Sequence, residues 1–223
     1  SNRLTLNIEG YYKNFSQLTN LNRNKIYNSD YQDAPDELKL DFIVEKGNAK
    51  GLDFSLKYDY DRFFVWAVYS LGYVERTDPQ ITYAPHFDRR HNINFLGSVK
   101  LGGAYDWEIS LRYNFGSGFP FTPMAGNYEQ IIFDGGINED YTTTNGNMSF
   151  LYGEYNSKRL PNYHRVDASL KKTFELGKYS MLEANLSVTN ILNRENVFYV
   201  NIYNREVVNQ LPIMPSLGLT FKF

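Results

Sequence analysis

Cysteine is absent from the 223 residues, which excludes disulfide frameworks, zinc–cysteine sites and thiol catalysis. Strong net charge is absent too. The 23 Lys and Arg set against 25 Asp and Glu leave −2, so nothing suggests a nucleic-acid partner. Long apolar runs are missing as well. The longest, Phe63-Phe-Val-Trp-Ala-Val-Tyr69, falls far short of the roughly 18 residues that a membrane-crossing helix needs. This excludes helical spans but not strands, because barrel strands alternate and keep mean hydropathy low. No signal peptide opens the chain at Ser1–Leu6, which starts directly in strand pattern. The expectation is a mature or truncated piece of something longer.

What the chain has in excess is aromatic side chains, 17% of the residues and mostly Tyr and Phe. A soluble core does not need so many. A barrel with aromatic girdles at two membrane interfaces does. The last ten residues set the pattern. Leu217, Leu219, Phe221 and Phe223 fall on one face of an extended strand, and Ser216, Gly218, Thr220 and Lys222 on the other, a period of two. The apolar face runs to the final residue.

The same period predicts seven earlier strands. Leu4–Tyr12 opens the series. Leu52, Phe54, Leu56 and Tyr58 mark the second strand, and the odd positions from Phe63 to Tyr73 the third. Ile93–Val99, Trp107–Phe115, Val166–Phe174 and Leu182–Val188 supply the fourth to seventh. Three links are short: Asp59–Arg62, the turn at Gly102 and Gly103, and Leu176–Lys178. The others are long: Phe15–Leu40, Thr77–Arg90, Gly118–Pro161 and Ile191–Pro212. Short and long connections therefore alternate, and all the long ones lie at one end. A transmembrane barrel segregates short periplasmic turns from long extracellular loops in this way.

Between the rims the apolar faces carry no charged residue. Glu108, Arg112, Asp167, Lys171 and Glu183 sit on the opposite faces, with Glu9, Asp53 and Lys57. A cation facing lipid at the midplane costs about 2–4 kcal/mol, so slipping every strand by one residue would cost on the order of 10–20 kcal/mol. The expected fold is an all-β, antiparallel transmembrane barrel segment of about eight strands, with one face to lipid and the other to a wet lumen.

Few residues suggest chemistry. His86, His91 and His164 have no ligand spacing and read as hydrogen-bonding residues near the rim. Asp167 and Ser169 share a strand face, but His164, an odd number of residues away, does not join them. No catalytic residue, cofactor or metal site is expected, and the chain reads as a non-enzyme. Tyr128, Tyr141, Tyr152, Tyr155 and Arg159 populate the longest loop and its exit. Aromatics among polar neighbours suit capture of a sugar, peptide or siderophore, with packing between loops as the plainer reading. The sequons at Asn14, Asn147 and Asn185 carry little information.

Five stretches from Phe87 onward resemble the C-terminal barrel of TonB-dependent outer-membrane receptors, especially those of Bacteroidota. They are Phe87-Asp-Arg-Arg-His-Asn-Ile-Asn94, Gly116-Ser-Gly-Phe-Pro-Phe-Thr122 and Arg159-Leu-Pro-Asn-Tyr-His-Arg-Val-Asp167, followed by Asn185–Asn196 and Leu211–Leu219. Phe121 stands where that family often has Tyr, and Leu192 where it often has Phe, which leaves the subfamily open. The resemblance implies that residues 1–223 are the C-terminal third of a 22-stranded barrel, with the plug domain and earlier strands not in this chain. It implies the cell outer membrane as location and membrane lipid as partner. It further implies contact with the TonB complex through the plug region, with the barrel-assembly machinery through the strand ending at Phe223, and with a surface lipoprotein as an additional candidate. The function it implies is energised uptake of a scarce nutrient. A transport-inactive barrel serving as a scaffold stays open beside it, and a self-contained eight-stranded barrel enzyme is the third reading.

Overall fold

The computed structural model describes residues 3–27, 39–130, 146–177, 179–201, 204 and 206–223. Eight long strands carry it: β1 Leu4–Leu21, β2 Phe42–Tyr60, β3 Phe63–Thr77, β4 His91–Leu101, β5 Trp107–Gly116, β6 Tyr163–Glu175, β7 Met181–Thr189 and β8 Met214–Lys222. Each pairs antiparallel with the next in sequence, so the sheet order is the chain order. Among the described residues β1 pairs only with β2 and β8 only with β7, which leaves the sheet open.

The register joins the strands' apolar positions into continuous rows. Ile8, Phe54, Tyr69, Ile93 and Phe115 lie opposite one another across β1 to β5. Phe63, Val99, Ile109, Leu170, Leu186 and Leu217 form another row across β3 to β8. The other face carries rows of polar groups. Ser98, Ser110, Ser169, Ser187 and Ser216 face each other across five strands. Beside them Lys100, Glu108 and Lys171 align, and Lys171 Nζ lies 2.6 Å from Glu108 Oε2. Because the side-chain period is two, one register fixes every residue's face at once.

The apolar face is uncovered. Ile8 is 62% exposed, Leu219 66% and Phe223 95%. Among the described residues Tyr83 is the one buried hydrophobic, at 7%, whereas the fully buried side chains are Glu45, Asn190 and Asp88. A soluble domain places these classes the other way round.

Strands β4, β5, β7 and β8 have 11, 10, 9 and 9 residues, within the roughly 9–11 that a tilted strand uses to cross a bilayer. In contrast β1, β2 and β3 run to 18, 19 and 15 residues. Here the structure departs from the expected loop at Phe15–Leu40. Its Asn-rich start reads as loop, yet it continues the ladder to Leu21, and the partner strand begins at Phe42. A register shift between Phe15 and Leu18 absorbs the break in alternation, and the amides find partners, as in the Asn48 Nδ2 bond to Tyr12 Oη at 2.8 Å. The expected irregular stretch 118–161 also holds a hairpin, Met124–Gln130 with Asn147–Tyr152.

Lys50 and Lys172 fall on the apolar face, near its margins. Lys172 lies opposite Trp107, with Nζ 4.6 Å from that ring, and pairs with Asp106 beyond the strand end. Lys50 lies opposite Tyr73, 6.0 Å from its ring. Long stems let both ammonium groups reach past the apolar band. The short turns are tied together: Tyr105 donates to Asp61 Oδ1 at 2.8 Å, and Arg62 lies 4.8 Å from the Tyr105 ring. Asp61 itself has φ 52°, a left-handed position that Asp tolerates better than most.

A test follows from the face assignment. In lipid vesicles, Leu111→Arg is expected to lower unfolding stability by about 2–4 kcal/mol, and Ser110→Arg by less than about 1 kcal/mol, since surface changes stay near ±0.5 kcal/mol. Urea unfolding of both variants checks it.

Candidate functional site

The long connections build a crown at one end of the sheet, held by three polar hubs. The first surrounds Glu45, on the part of β2 that runs past the apolar band. Tyr83 donates to Glu45 Oε1 at 2.7 Å, Arg76 Nη1 lies 3.3 Å from Oε2, and Asn20 Nδ2 donates to the Tyr83 hydroxyl at 3.0 Å. Burial, and then its bond to the Glu45 carboxylate, raises the Tyr83 phenol far above its usual range. Arg23 pairs with Asp78 and lies 5.6 Å from the Tyr83 and Tyr155 rings. This hub clamps 22–27 and 78–83 onto β1 and β2.

Asp88 is the second hub, with no exposure at all. It accepts the Val74 N–H at 3.1 Å, pairs with Arg159, and lies 3.5 Å from Arg90 Nη2. Arg159 Nη1 also donates to the carbonyls of Asp88 and Gly118 at 3.0 and 3.1 Å. A Cβ on Gly118 would stand 1.6 Å from the Leu160 carbonyl oxygen, so only glycine permits that approach. One carboxylate thereby joins three segments that lie far apart in sequence.

Asn190 is the third hub. With φ 53° it turns the chain out of β7. Its backbone N–H bonds to Asp167 Oδ1 at 2.9 Å, and its side chain donates to the carbonyls of Arg194 and Leu211 at 3.0 and 3.1 Å. Asn196 then mimics a strand edge against His164, accepting from its N–H at 2.9 Å and donating to its carbonyl at 2.7 Å. The spacing Asn190, Asn193, Asn196 thus has a local structural cause. Short amide side chains tolerate left-handed backbone and satisfy it.

The loop candidates divide. Tyr128 and Tyr152 stand on the projecting hairpin, Tyr128 half-exposed and Tyr152 beside Phe150. Tyr155 packs edge-on against Tyr83 at 4.9 Å, and Arg159 is held by Asp88. Tyr141 lies outside the described residues. Of the polar-face candidates, Glu108 and Lys171 pair with each other, Glu183 pairs with Lys222 at 3.0 Å, and Asp167 holds Arg165 at 3.1 Å. Arg112 borders a depression. The histidines go to separate partners: His91 Nδ1 to Tyr69 at 2.9 Å, His164 Nδ1 to Tyr113 at 3.0 Å, and His86 against Phe87. Among the described residues no three metal-ligating groups gather.

The polar face carries two adjoining depressions of about 350 and 390 Å³. Both are lined by Arg112, Asn94 and Asn114. Trp66 borders the first, and Arg89, Arg165 and Gln210 the second. Sequence reading missed most of this wall, because single polar residues alternating along separate strands reveal no cluster until the register aligns them.

No family model matches the chain, and no curated protein matches it. Among solved structures it is similar to a chain in the complex of FpvAI with pyocin S2, with a TM-score of 0.54 at 13% identity, over 99% of this chain and 24% of that one. The protein spans about a quarter of that neighbour's length. The neighbour is a TonB-dependent receptor, so this chain has a receptor-like β-barrel fold.

The Asp88 hub generates a test. Asp88→Ala leaves two guanidinium groups facing a vacant site and is expected to destabilise by about 3–5 kcal/mol. Arg159→Ala is expected to cost less, and the double variant less than the sum of the two, as for groups in contact. Limited proteolysis of segments 84–90 and 117–123, with denaturant unfolding, reads both.

Proposed function

We propose that the chain forms part of the wall of an outer-membrane receptor that imports a scarce nutrient, a siderophore, glycan or peptide, using energy delivered through TonB. The observation that carries this reading is the uncovered apolar face on a receptor-like barrel fold. A continuous field of exposed Leu, Ile, Val and aromatic side chains needs an apolar surround. Lipid supplies it on one side, while the serine, lysine and glutamate rows line a wet interior on the other. The open sheet fits the same reading. An unpaired strand edge in lipid costs several kcal/mol for each unsatisfied group, so further strands of a larger barrel pair with β1 and β8.

In this arrangement the short turns face the periplasm and the crown faces outward. The hairpin bearing Tyr128 and Tyr152, with the loop through Tyr141, is the capture element. The plug, the TonB contact, the assembly machinery that handles the strand ending at Phe223, and a surface lipoprotein belong to the complete protein. The Bacteroidota-type affinity rests on the sequence motifs, Phe87–Asn94 and Arg159–Asp167 foremost. The reading includes no bond chemistry, and so no enzyme.

The test uses cells carrying the complete receptor, grown with iron, a glycan or a peptide as the limiting nutrient. Growth that depends on the receptor is expected to collapse when TonB is removed. Trimming Asn127–Tyr155 is expected to abolish it while the protein stays folded in the outer membrane. Receptor-dependent growth without TonB would overturn energised import, and undiminished growth after trimming would remove the loop as capture element. No receptor-dependent growth on any nutrient would favour the scaffold.

A further inference from the structure

The twin depressions on the polar face hold two guanidinium groups, Arg89 and Arg112, that make no ion pair among the described residues. Arg112 lines both and has no ion pair or hydrogen bond among the described residues. Arg89 has no ion pair among them either, and its buried Nε donates to nothing. Two rings hold it in place, with Phe119 at 4.1 Å and Tyr163 at 5.7 Å from the guanidinium. Gly116 makes the room: a Cβ there would stand 2.3 Å from Arg89 Nη1. Burial lowers the pKa of Arg89, the mark of a charge partly withdrawn from solvent. Arg165, by contrast, is committed to Asp167.

Neutral groups complete the wall. Asn114 donates to Asn94 at 2.6 Å, which orients both amides along the floor. Trp66, steadied by its bond to Ser55 at 3.2 Å, leaves much of its ring open at the edge. Planar guanidinium forks match carboxylate and sulfate. Amides, each both donor and acceptor, match hydroxyl groups. An open indole matches the apolar face of a ring.

We propose that these depressions are a binding subsite for an anionic, polyhydroxylated solute, such as a uronic acid or a sulfated sugar, on the passage wall. The acid group sits between Arg89 and Arg112, the hydroxyls meet Asn94 and Asn114, and the ring lies toward Trp66. This rests on the reading that the polar face lines a water-filled passage, and it narrows the imported nutrient to an acidic carbohydrate.

Ligand-observed NMR titration of the complete receptor in detergent micelles tests it, with glucuronate against glucose at matched ionic strength. The pair differs in the carboxylate. Saturable binding of glucuronate and none of glucose is expected. Arg112→Gln and Arg89→Gln are each expected to weaken it at least tenfold, and Gly116→Ala, which displaces the Arg89 guanidinium, to do the same. Lys100→Gln, a cation on the same face near the short turns, is expected to leave it unchanged. Absence of saturable binding, equal binding of glucose, or equal loss in Lys100→Gln and Arg112→Gln would overturn the subsite. None of these outcomes bears on TonB-dependent growth, so the subsite and the transport reading fail separately.

Discussion

Everything in this structure depends on the backbone ladder, because the sheet has no apolar core to fall back on. In an ordinary domain, hydrophobic burial dominates folding and hydrogen bonds refine it. Here Tyr83 is the one buried hydrophobic among the described residues, and it serves as a donor to Glu45. What organises the chain is seven consecutive antiparallel pairings, each fixing its neighbour's register. With a period of two, that register sorts Leu111 from Arg112 and Leu170 from Lys171 without any further packing. The apolar field that results suits an apolar solvent. In the receptor reading, lipid takes the place of the missing core.

The crown obeys a different physics. Its segments form short local pairings, and buried polar groups join them to the long strands. Among the described residues Glu45, Asp88 and Asn190 are the large side chains that are fully buried, and each collects partners from other segments. Buried charge is tolerated only when it is paired and hydrogen-bonded. Asp88 meets that condition through Val74, Arg90 and Arg159. Such hubs tie the loops to the ends of the long strands. Arg89 and Arg112 stand apart from the rest of the polar wall because neither has an ion pair among the described residues, and the buried Nε of Arg89 donates to nothing there.

The strands were legible in the sequence because their signal is local. Leu182, Ala184, Leu186 and Val188 alternate with Glu183, Asn185 and Ser187 in plain view, and β7 runs Met181–Thr189. Where local signal failed, a tertiary cause explains it. Asn20 read as a loop residue, yet its side-chain bonds to Glu45 and Tyr83 and a bulge keep β1 going to Leu21. Lys172 hides on an apolar face because its charge leaves through Asp106. The candidate site was less legible. Arg159 looked like a loop cation for a ligand, and only the fold reveals Asp88 beneath it. Trp66, Asn114 and the stretch holding Arg89 and Asn94 lie far apart in the chain, so no spacing could announce them as neighbours.

Spin labels placed one at a time along Trp107–Gly116, in the complete protein reconstituted in lipid, test the inside–outside assignment most directly. Labels at Ile109, Leu111 and Tyr113 should relax with lipid-soluble oxygen. Those at Glu108, Ser110, Arg112 and Asn114 should relax with a water-soluble nickel reagent, giving two profiles of period two in opposite phase. Equal accessibility of Leu111 and Arg112 to both reagents would contradict a sheet that separates lipid from a wet interior.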